Sequence, residues 1–189
     1  MRKNHHHGYT KGMDNIVLGG GCFWCLEAAY QLIDGVVSVT SGYAGGKEPD
    51  PTYYDVAYGR THHAEVVKIE FDANTISLED ILEIFWTIHD PTTPDRQGND
   101  VGPQYRSIIL YWDDRQKAII KTSKQIAAKY WDNSIVTEVA LLEKFYPAEP
   151  EHQNYFKNHP EQAYCQVIIN PKLQKLKEKF ASRIKSDGM

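Results

Sequence analysis

Two cysteines near the N-terminus have a spacing suited to redox or nucleophilic chemistry. Cys22 follows three consecutive glycines, Gly19–Gly21, and Cys25 lies three residues later in a helical pattern. The glycines allow a tight turn between a strand and a helix. Free N–H groups and a partial positive charge at a helix N-terminus stabilise a thiolate, so this position predicts a pKa below about 8.5 for the Cys22 thiol. A buried, inert thiol is the alternative interpretation.

A carboxylate that could carry a proton lies at the start of a later strand. Glu65 stands in line with Val67, Ile69 and Phe71, the apolar positions of an alternating pattern. If its side chain points the same way, it is buried, its pKa is raised and it can hold a proton at neutral pH. A strand-edge carboxylate in solvent is the other interpretation, and the spacing does not decide between them.

Two long polar loops, residues 45–60 and 90–105, are further places to search for chemistry. Loops of this length are unusual in a compact domain and are more often functional than idle. The first loop carries Tyr53, and the second contains Asp100 and ends at Tyr105. Nothing physical in the second loop identifies a reaction by itself.

A zinc site is an alternative use of the cysteines. Cys22 and Cys25 would supply half of the ligands, and His62, His63 and Cys165 could complete the set. Adjacent histidines do not have a usual zinc spacing, and the chain has no second C-x-x-C. We therefore expect no metal.

The elements that must position these residues follow from hydrophobic periodicity. Apolar steps of three and four residues predict helices over 23–33, 77–85, 113–130 and 170–184. Extended or alternating patterns predict strands over 16–18, 36–43, 67–71, 107–112 and 135–142. The first six elements read β-α-β-β-α-β, the order of a ferredoxin-like core. We expect an α+β fold, a two-layer α/β sandwich with a mainly antiparallel mixed sheet.

The composition is that of a globular protein and excludes several classes. The chain has 189 residues, 41% of them hydrophobic and 24% charged, with a net charge of −4. We expect a disordered leader or tag at residues 1–12 and a single domain at 13–189. The negative charge argues against a nucleic-acid or anionic-membrane partner, and no stretch is apolar enough to span a membrane. Three cysteines without a signal peptide predict a cytoplasmic protein, and we expect a monomer.

Several short motifs occur in a fixed order along the chain. They are Gly21-Cys22-Phe23-Trp24, Gly42-Tyr43-Ala44-Gly45-Gly46, Pro51-Thr52-Tyr53, His63-Ala64-Glu65, His89-Asp90-Pro91, Arg96-Gln97-Gly98-Asn99-Asp100 and Gln104-Tyr105-Arg106. From about residue 15 to 165 the chain resembles the peptide methionine sulfoxide reductase A family. The resemblance implies reduction of the S-epimer of methionine sulfoxide, free or in proteins, in an α/β sandwich without metal. It implies no cofactor, only an external thiol reductant such as thioredoxin or dithiothreitol.

The resemblance also implies a role for each motif residue. Cys22 matches the family's nucleophile, and Glu65 matches the acid that protonates the sulfoxide oxygen. The other matches belong to the substrate pocket: hydroxyls for the oxygen at Tyr53 and Tyr105, a lining carboxylate at Asp100, and aromatic rings for the methyl group at Phe23 and Trp24.

The thiol that resolves the oxidised nucleophile is ambiguous. Cys165 lies near the place where many family members carry a resolving cysteine, whereas position 25 is often glycine in the family. Residues 147–160 are rich in Pro, Asn and His and predict a mobile segment before Cys165. Such a segment could deliver a thiol at modest loop-closure cost. We expect Cys165 to resolve, with Cys25 as a second relay or a substitute.

The chemistry fits these residues independently. A sulfoxide sulfur is electrophilic once its oxygen is protonated, so a thiolate and a neutral acid must coexist in one pocket. Cys22 would become a sulfenic acid, then a disulfide that an external thiol reduces. A general thiol–disulfide oxidoreductase using Cys22 and Cys25, and a zinc-stabilised interaction module, remain the alternatives.

Overall fold

The computed structural model describes residues 12–188. Residues 1–11 of the expected leader or tag therefore lie outside the described residues. The strands are β1 Met13–Gly19, β2 Val36–Ala44, β3 Ala64–Asp72, β4 Arg96–Gln97, β5 Asp100–Val101, β6 Ile108–Tyr111, β7 Glu138–Leu141 and β8 Tyr146–Pro147. The α-helices are α1 Phe23–Gln31, α2 Tyr53–Ala57, α3 Leu78–Ile88, α4 Asp114–Ala127, α5 Tyr155–Asn158 and α6 Asn170–Lys179. Among the described residues, no helix combines the length and the apolar character that crossing a membrane requires.

Six strands form one mixed sheet in the order β7-β6-β1-β3-β2-β8. Strand β1 pairs antiparallel with both β3 and β6, and β2 pairs antiparallel with β3 and β8. The pairing of β6 with β7 is parallel. The predicted α+β class, with a mainly antiparallel mixed sheet and helices, is therefore confirmed.

Side-chain alternation separates two cores on the two faces of the sheet. Ile16 and Leu18 of β1 join the main core, which includes residues of α1, α3, α4 and α6. Val17, between them, belongs to a smaller cluster on the other face, against which Leu142 and Phe145 pack. Strand side chains alternate between faces with a period of two, so Glu65 shares the helix-covered face with Val67, Ile69 and Phe71.

Both predicted loops contain short elements that carry no periodic signal. Residues 45–60 include the five-residue helix α2, and residues 90–105 include the β4–β5 hairpin and a 3₁₀ turn, Pro103–Tyr105. Two predicted helices also end at least three residues earlier than expected. Helix α4 ends at Ala127 before a 3₁₀ turn, and α6 ends at Lys179. Short elements of this kind are fixed by capping and tertiary contacts, which periodicity does not report.

Candidate active site

Glycine is required at two positions of the turn between β1 and α1. Gly21 has a φ of +88°, in the left-handed region, and a Cβ on Gly20 would lie 2.8 Å from the ring of His89. The Gly21 N–H donates to the carbonyl of Tyr105 at 3.1 Å, which ties the second loop to the turn. Cys22 follows as the N-cap of α1, at the predicted helix start.

Glu65 supplies the capping interaction that the Cys22 side chain does not make. The Phe23 N–H donates to Glu65 Oε1 at 3.2 Å. Glu65 is only 2% exposed, so the buried interpretation is confirmed. Burial raises the pKa of its carboxyl group to about 8, the charges of Asp100 and Cys25 add to the shift, and the Phe23 N–H opposes it. The carboxyl group is therefore protonated at neutral pH.

The thiols of Cys22 and Cys25 share a hydrogen bond, and their ionisation differs from the expectation. Burial raises the pKa of Cys22, and the bond to Cys25 and the Glu65 carboxylate raise it further. The backbone N–H of Trp24 donates a hydrogen bond that lowers the pKa of Cys22, but the opposite effect of burial is larger. The prediction of a lowered pKa for Cys22 is therefore wrong. Instead, the pKa of Cys25 is lowered to about 7. The hydrogen bond from Cys22 and the charge of Lys172 lower it, and burial opposes them.

The hydroxyl groups of Tyr53 and Tyr105 interact electrostatically with Glu65 and Cys22. Burial raises the pKa of both, to about 12 for Tyr53, and the charges of Glu65 and Cys22 contribute to each shift. Both side chains are therefore neutral hydroxyls that can donate a hydrogen bond. Asp100 adds to the shifts of Tyr105 and Glu65. The structure thus brings all five predicted polar residues into one electrostatic cluster.

Two anchors hold Tyr53 at the site. The Thr52 side chain accepts from the Asp55 N–H, and the Asp55 side chain accepts from the Thr52 N–H, a complete capping box that starts α2 at Tyr53. Glu149 accepts from the Tyr53 N–H at 3.0 Å and from the Tyr43 hydroxyl at 3.0 Å. Sequence reasoning missed Glu149, because its partners are far away along the chain.

An aromatic wall surrounds Trp24. Its ring stacks on Tyr155 with centroids 3.7 Å apart, and Tyr164 meets it edge-on at 5.8 Å. His152 stacks on Tyr53 at 4.2 Å and faces Trp24 at 5.8 Å. Phe23, the other predicted aromatic residue, is fully buried and supports this wall from behind. Sequence reasoning missed His152, Tyr155 and Tyr164; the high count of 12 tyrosines was the only available signal.

Glu27 is a second carboxylate that sequence reasoning missed. It is almost fully buried on α1 and accepts from the backbone N–H groups of Asn154 and Tyr155 at 3.0 and 3.1 Å. Burial raises its pKa, and these bonds oppose the shift. This carboxylate fixes the turn that carries Tyr155 against Trp24. A charged residue beside Leu26 and Ala28 in a buried helix was the signal that could have found it.

Cys165 lies at the start of a π-helical turn, Cys165–Ile169, and is fully buried. Burial raises its pKa, and the charge of Cys25 adds to the shift. The segment expected to be mobile, residues 147–160, contains a 3₁₀ turn at Pro150–His152 and helix α5. Pro150 and Asn154 begin the short helices of this segment, and His152 contacts the site. Composition alone does not distinguish residues with such structural roles from those of a mobile segment.

The ligands of the zinc alternative are not brought together. Within residues 12–188, the one group of ligand-type side chains close enough to share an ion is Glu149, Glu151 and His152. His62 and His63 instead contact Glu48, and both ring nitrogens of His63 have hydrogen-bond partners. Glu149 already holds Tyr43 and Tyr53, as described above, so that group serves the pocket wall.

Comparisons with known proteins agree on one family. The family model described as peptide methionine sulfoxide reductase matches residues 14–184. The peptide methionine sulfoxide reductase MsrA of Halobacterium salinarum is 53% identical, over 91% of this chain and 98% of the relative. The crystal structure of reduced Mxr1 from Saccharomyces cerevisiae superimposes with a TM-score of 0.77 at 33% identity, over 83% of this chain and 91% of the other. The structure of Mxr1 in complex with Trx2 has the same fold, with a TM-score of 0.55 at 24% identity, over 80% and 91% of the two chains.

Proposed function

The chain belongs to the peptide methionine sulfoxide reductase family, and from this and the site geometry we propose that it reduces the S-epimer of methionine sulfoxide, free or in proteins. One observation carries the proposal. The Phe23 N–H to Glu65 bond places a buried, protonated acid at the start of the helix that carries Cys22. Such a pair of an acid and a nucleophile is what sulfoxide reduction needs.

In the first step, Cys22 attacks the sulfoxide sulfur. Glu65 gives its proton to the sulfoxide oxygen, and the neutral hydroxyls of Tyr53 and Tyr105 donate hydrogen bonds to it. Because Glu65 is neutral below its pKa of about 8, its repulsion of the forming Cys22 thiolate is absent at neutral pH. The attack forms a sulfur–sulfur bond between Cys22 and the substrate, and the Cys22 proton replaces the one that Glu65 gave. The hydroxyl on the substrate sulfur then moves to the Cys22 sulfur as the substrate sulfur–oxygen bond and the sulfur–sulfur bond break. Methionine leaves, and Cys22 keeps the oxygen as a sulfenic acid.

The aromatic wall supports the choice of substrate. Trp24, backed by Tyr155 and Phe23, offers an apolar surface for the methyl and methylene groups on the sulfoxide sulfur. Asp100 belongs to the polar side of the same pocket, where its charge raises the pKa of Tyr105. A sulfoxide has one polar oxygen and two apolar arms, so this division between polar and apolar walls suits a sulfoxide substrate.

The second step forms a disulfide and releases water. The contacts support Cys25 as the first resolving thiol, because it is hydrogen-bonded to Cys22 and has the lower pKa of the pair. We propose that Cys165 then takes over the disulfide by exchange; its burial and the effect of the Cys25 charge on its pKa support this role. This order reverses the one that the sequence favours.

The external reductant in the proposal is thioredoxin, with dithiothreitol as a laboratory substitute and no cofactor. The solved Mxr1 relative was crystallised in complex with Trx2, which supports a partner of this type. The three free cysteines support a reducing compartment such as the cytoplasm. We further propose that residues 13–189 act as one monomeric domain. The strand order β6-β1-β3-β2, antiparallel throughout, supports a ferredoxin-like core.

The test is turnover of each purified methionine sulfoxide epimer with dithiothreitol as the reductant. We expect methionine from the S-epimer and none from the R-epimer, with no change on addition of a metal chelator. Equal rates on both epimers would contradict the stereochemical assignment, and no methionine from either would overturn the function.

A general thiol–disulfide oxidoreductase is the second candidate, because the Cys22–Cys25 hydrogen bond also suits a redox C-x-x-C pair. It leaves Glu65, Tyr53 and Tyr105 without a task. Reduction of a generic protein disulfide, with no activity on methionine sulfoxide, would favour it.

A further inference from the structure

Tyr164 links the second thiol of the C-x-x-C pair to the carboxylate of the pocket. Its hydroxyl donates to Asp100 Oδ2 at 3.2 Å and lies 3.7 Å from Cys25 Sγ. The three residues come from different parts of the chain: Cys25 from α1, Asp100 from β5, and Tyr164 from the residue before the π-helical turn. Neither the sequence motifs nor the proposed first step gives Tyr164 a task.

The direction of these contacts defines a route for a proton. A tyrosine hydroxyl has one proton to donate and lone pairs with which to accept. Since the Tyr164 proton points to Asp100, a protonated Cys25 can donate its S–H to the Tyr164 oxygen. The result is a continuous chain from the Cys25 thiol through one hydroxyl to a carboxylate that can accept a proton.

We propose that Tyr164 is a catalytic residue of the second step, which passes the proton of the Cys25 thiol to Asp100 and thereby activates Cys25 for disulfide formation. The inference rests on the proposed function, because Cys25 has an electrophile to attack only after Cys22 has become a sulfenic acid. Tyr164 keeps its ring in place through the edge contact with Trp24.

The step balances without an outside oxidant. The Cys25 sulfur bonds to the Cys22 sulfur as the Cys22 sulfur–oxygen bond breaks, and hydroxide departs. The Cys25 proton moves to the Tyr164 oxygen while the Tyr164 proton moves to Asp100. The departing hydroxide takes this proton from Asp100 and leaves as water, so Asp100 returns to its carboxylate form. The two electrons come from the Cys25 thiol.

The groups around Cys25 together favour loss of its proton. The groups that act on it electrostatically or by hydrogen bonds are Cys22, Glu65, Asp100, Tyr164, Cys165 and Lys172. The Cys22 bond, the Lys172 charge and the Tyr164 hydroxyl all lower the pKa of Cys25, against its burial and the charge of Asp100. Burial and the neighbouring thiols raise the pKa of Tyr164, so this residue returns to its neutral form after the transfer.

The test separates the two chemical steps in the full chain. Reduced enzyme is mixed with one equivalent of methionine S-sulfoxide and no reductant, and methionine and free thiols are measured over time from pH 6 to 9.5. The variant is Tyr164→Phe, which keeps the ring. Tyr111→Phe, on β6 and outside the site, is the matched control.

We expect Tyr164→Phe to form methionine within about threefold of the wild-type rate but to lose thiols about tenfold more slowly at pH 7, the effect of one lost hydrogen bond to an ionised group. The deficit should shrink towards pH 9.5, where solvent ionises Cys25 directly. Tyr111→Phe should match the wild type. A deficit that is the same at every pH would show a packing role only and overturn the inference, as would thiol loss at the wild-type rate.

A second measurement covers the case in which Tyr164→Phe does not fold. In the Asp100→Asn variant, the proton acceptor is removed and Tyr164 stays. In single turnover at pH 7, the thiols should then be lost about tenfold more slowly than in the wild type once methionine has formed, with a deficit that shrinks towards pH 9.5. Thiol loss at the wild-type rate, or a deficit that is the same at every pH, would overturn the inference. Absence of methionine from the wild type would instead overturn the proposed function and the inference together.

Discussion

Helices α1 and α3 both begin beside a carboxylate, but the two carboxylates come from different places. At α3, the Ser77 side chain accepts from the Asp80 N–H, and the Asp80 side chain accepts from the Ser77 N–H. At α1, Cys22 makes no such bond, and the carboxylate comes from Glu65, 42 residues from its partner Phe23. Both arrangements satisfy free N–H groups at a helix start.

The difference in burial gives the two carboxylates different chemistry. Asp80 lies at the surface end of α3 and forms an ion pair with Arg183. Glu65 lies on the helix-covered face of the sheet, where burial raises its pKa to about 8. A local acid therefore stabilises a helix, whereas a buried acid from a distant strand also keeps a proton that it can give to a substrate.

The largest expected effect comes from Cys22→Ser. We expect no methionine formation with either dithiothreitol or thioredoxin, because a hydroxyl is a far weaker nucleophile than a thiolate at neutral pH. Serine is a preferred N-cap residue, so the start of α1 should be at least as stable as in the wild type. Turnover and thermal unfolding are measured together. Wild-type turnover in this variant would refute the role of Cys22.

The second largest effect on methionine formation is expected for Glu65→Gln. The glutamine oxygen can still accept from the Phe23 N–H, so the helix start should persist while the proton donor is lost. We expect single-turnover methionine formation to fall about 10²–10⁴-fold, the usual worth of general acid catalysis. The control is Asp80→Asn at α3, which changes the same group at the other helix start and should leave this rate unchanged. A loss under tenfold would show that Tyr53 or Tyr105 supplies the proton.

The same comparison separates what the sequence predicts from what it does not. The glycine turn, the start of α1 and the main strands follow from local patterns, as do the capping residues Ser77 and Asp80. The burial of Glu65 was left open by its spacing, because burial depends on which face of β3 the helices cover. His152 and Glu27 could not be identified, since their roles arise from contacts between segments far apart in sequence.

The ionisation of Cys22 illustrates the limit most clearly. Helix-start geometry predicts a lowered pKa, but the structure places the thiol in a buried site next to Cys25 and Glu65, and burial raises the pKa instead. Local rules describe the dipole and the free N–H groups of one helix. They do not report the desolvation and the neighbouring charges that the rest of the fold imposes.

A smaller effect is expected on the pH dependence of stability. The pKa of Glu65 is raised from 4.5 to about 8 by folding, so the folded state binds the proton more tightly than the unfolded state. Stability from this group is present below pH 4.5 and is lost as pH rises towards 8. Between pH 6 and 8 we expect Glu65 to cost the wild type about 1–3 kcal/mol of unfolding free energy relative to Glu65→Gln. Urea unfolding of both proteins at the two pH values measures it, and parallel changes would contradict the raised pKa.

The smallest effect comes from Ser77→Ala at the local cap. Loss of the capping hydroxyl should lower the unfolding free energy by about 0.5–2 kcal/mol and leave turnover unchanged, because α3 carries no group of the pocket. The matched variant is Thr52→Ala at α2, whose capping box has the same chemistry. There the next residue is Tyr53, so a loosened cap should displace a hydroxyl of the site and lower turnover as well as stability. If both variants lose stability and neither loses activity, then Glu149, which holds the Tyr53 N–H, is a sufficient anchor for that tyrosine. If Ser77→Ala loses activity, then the cap of α3 does more than stabilise its helix. The proposed difference between this cap and the cap of α2, which also positions Tyr53, is then wrong.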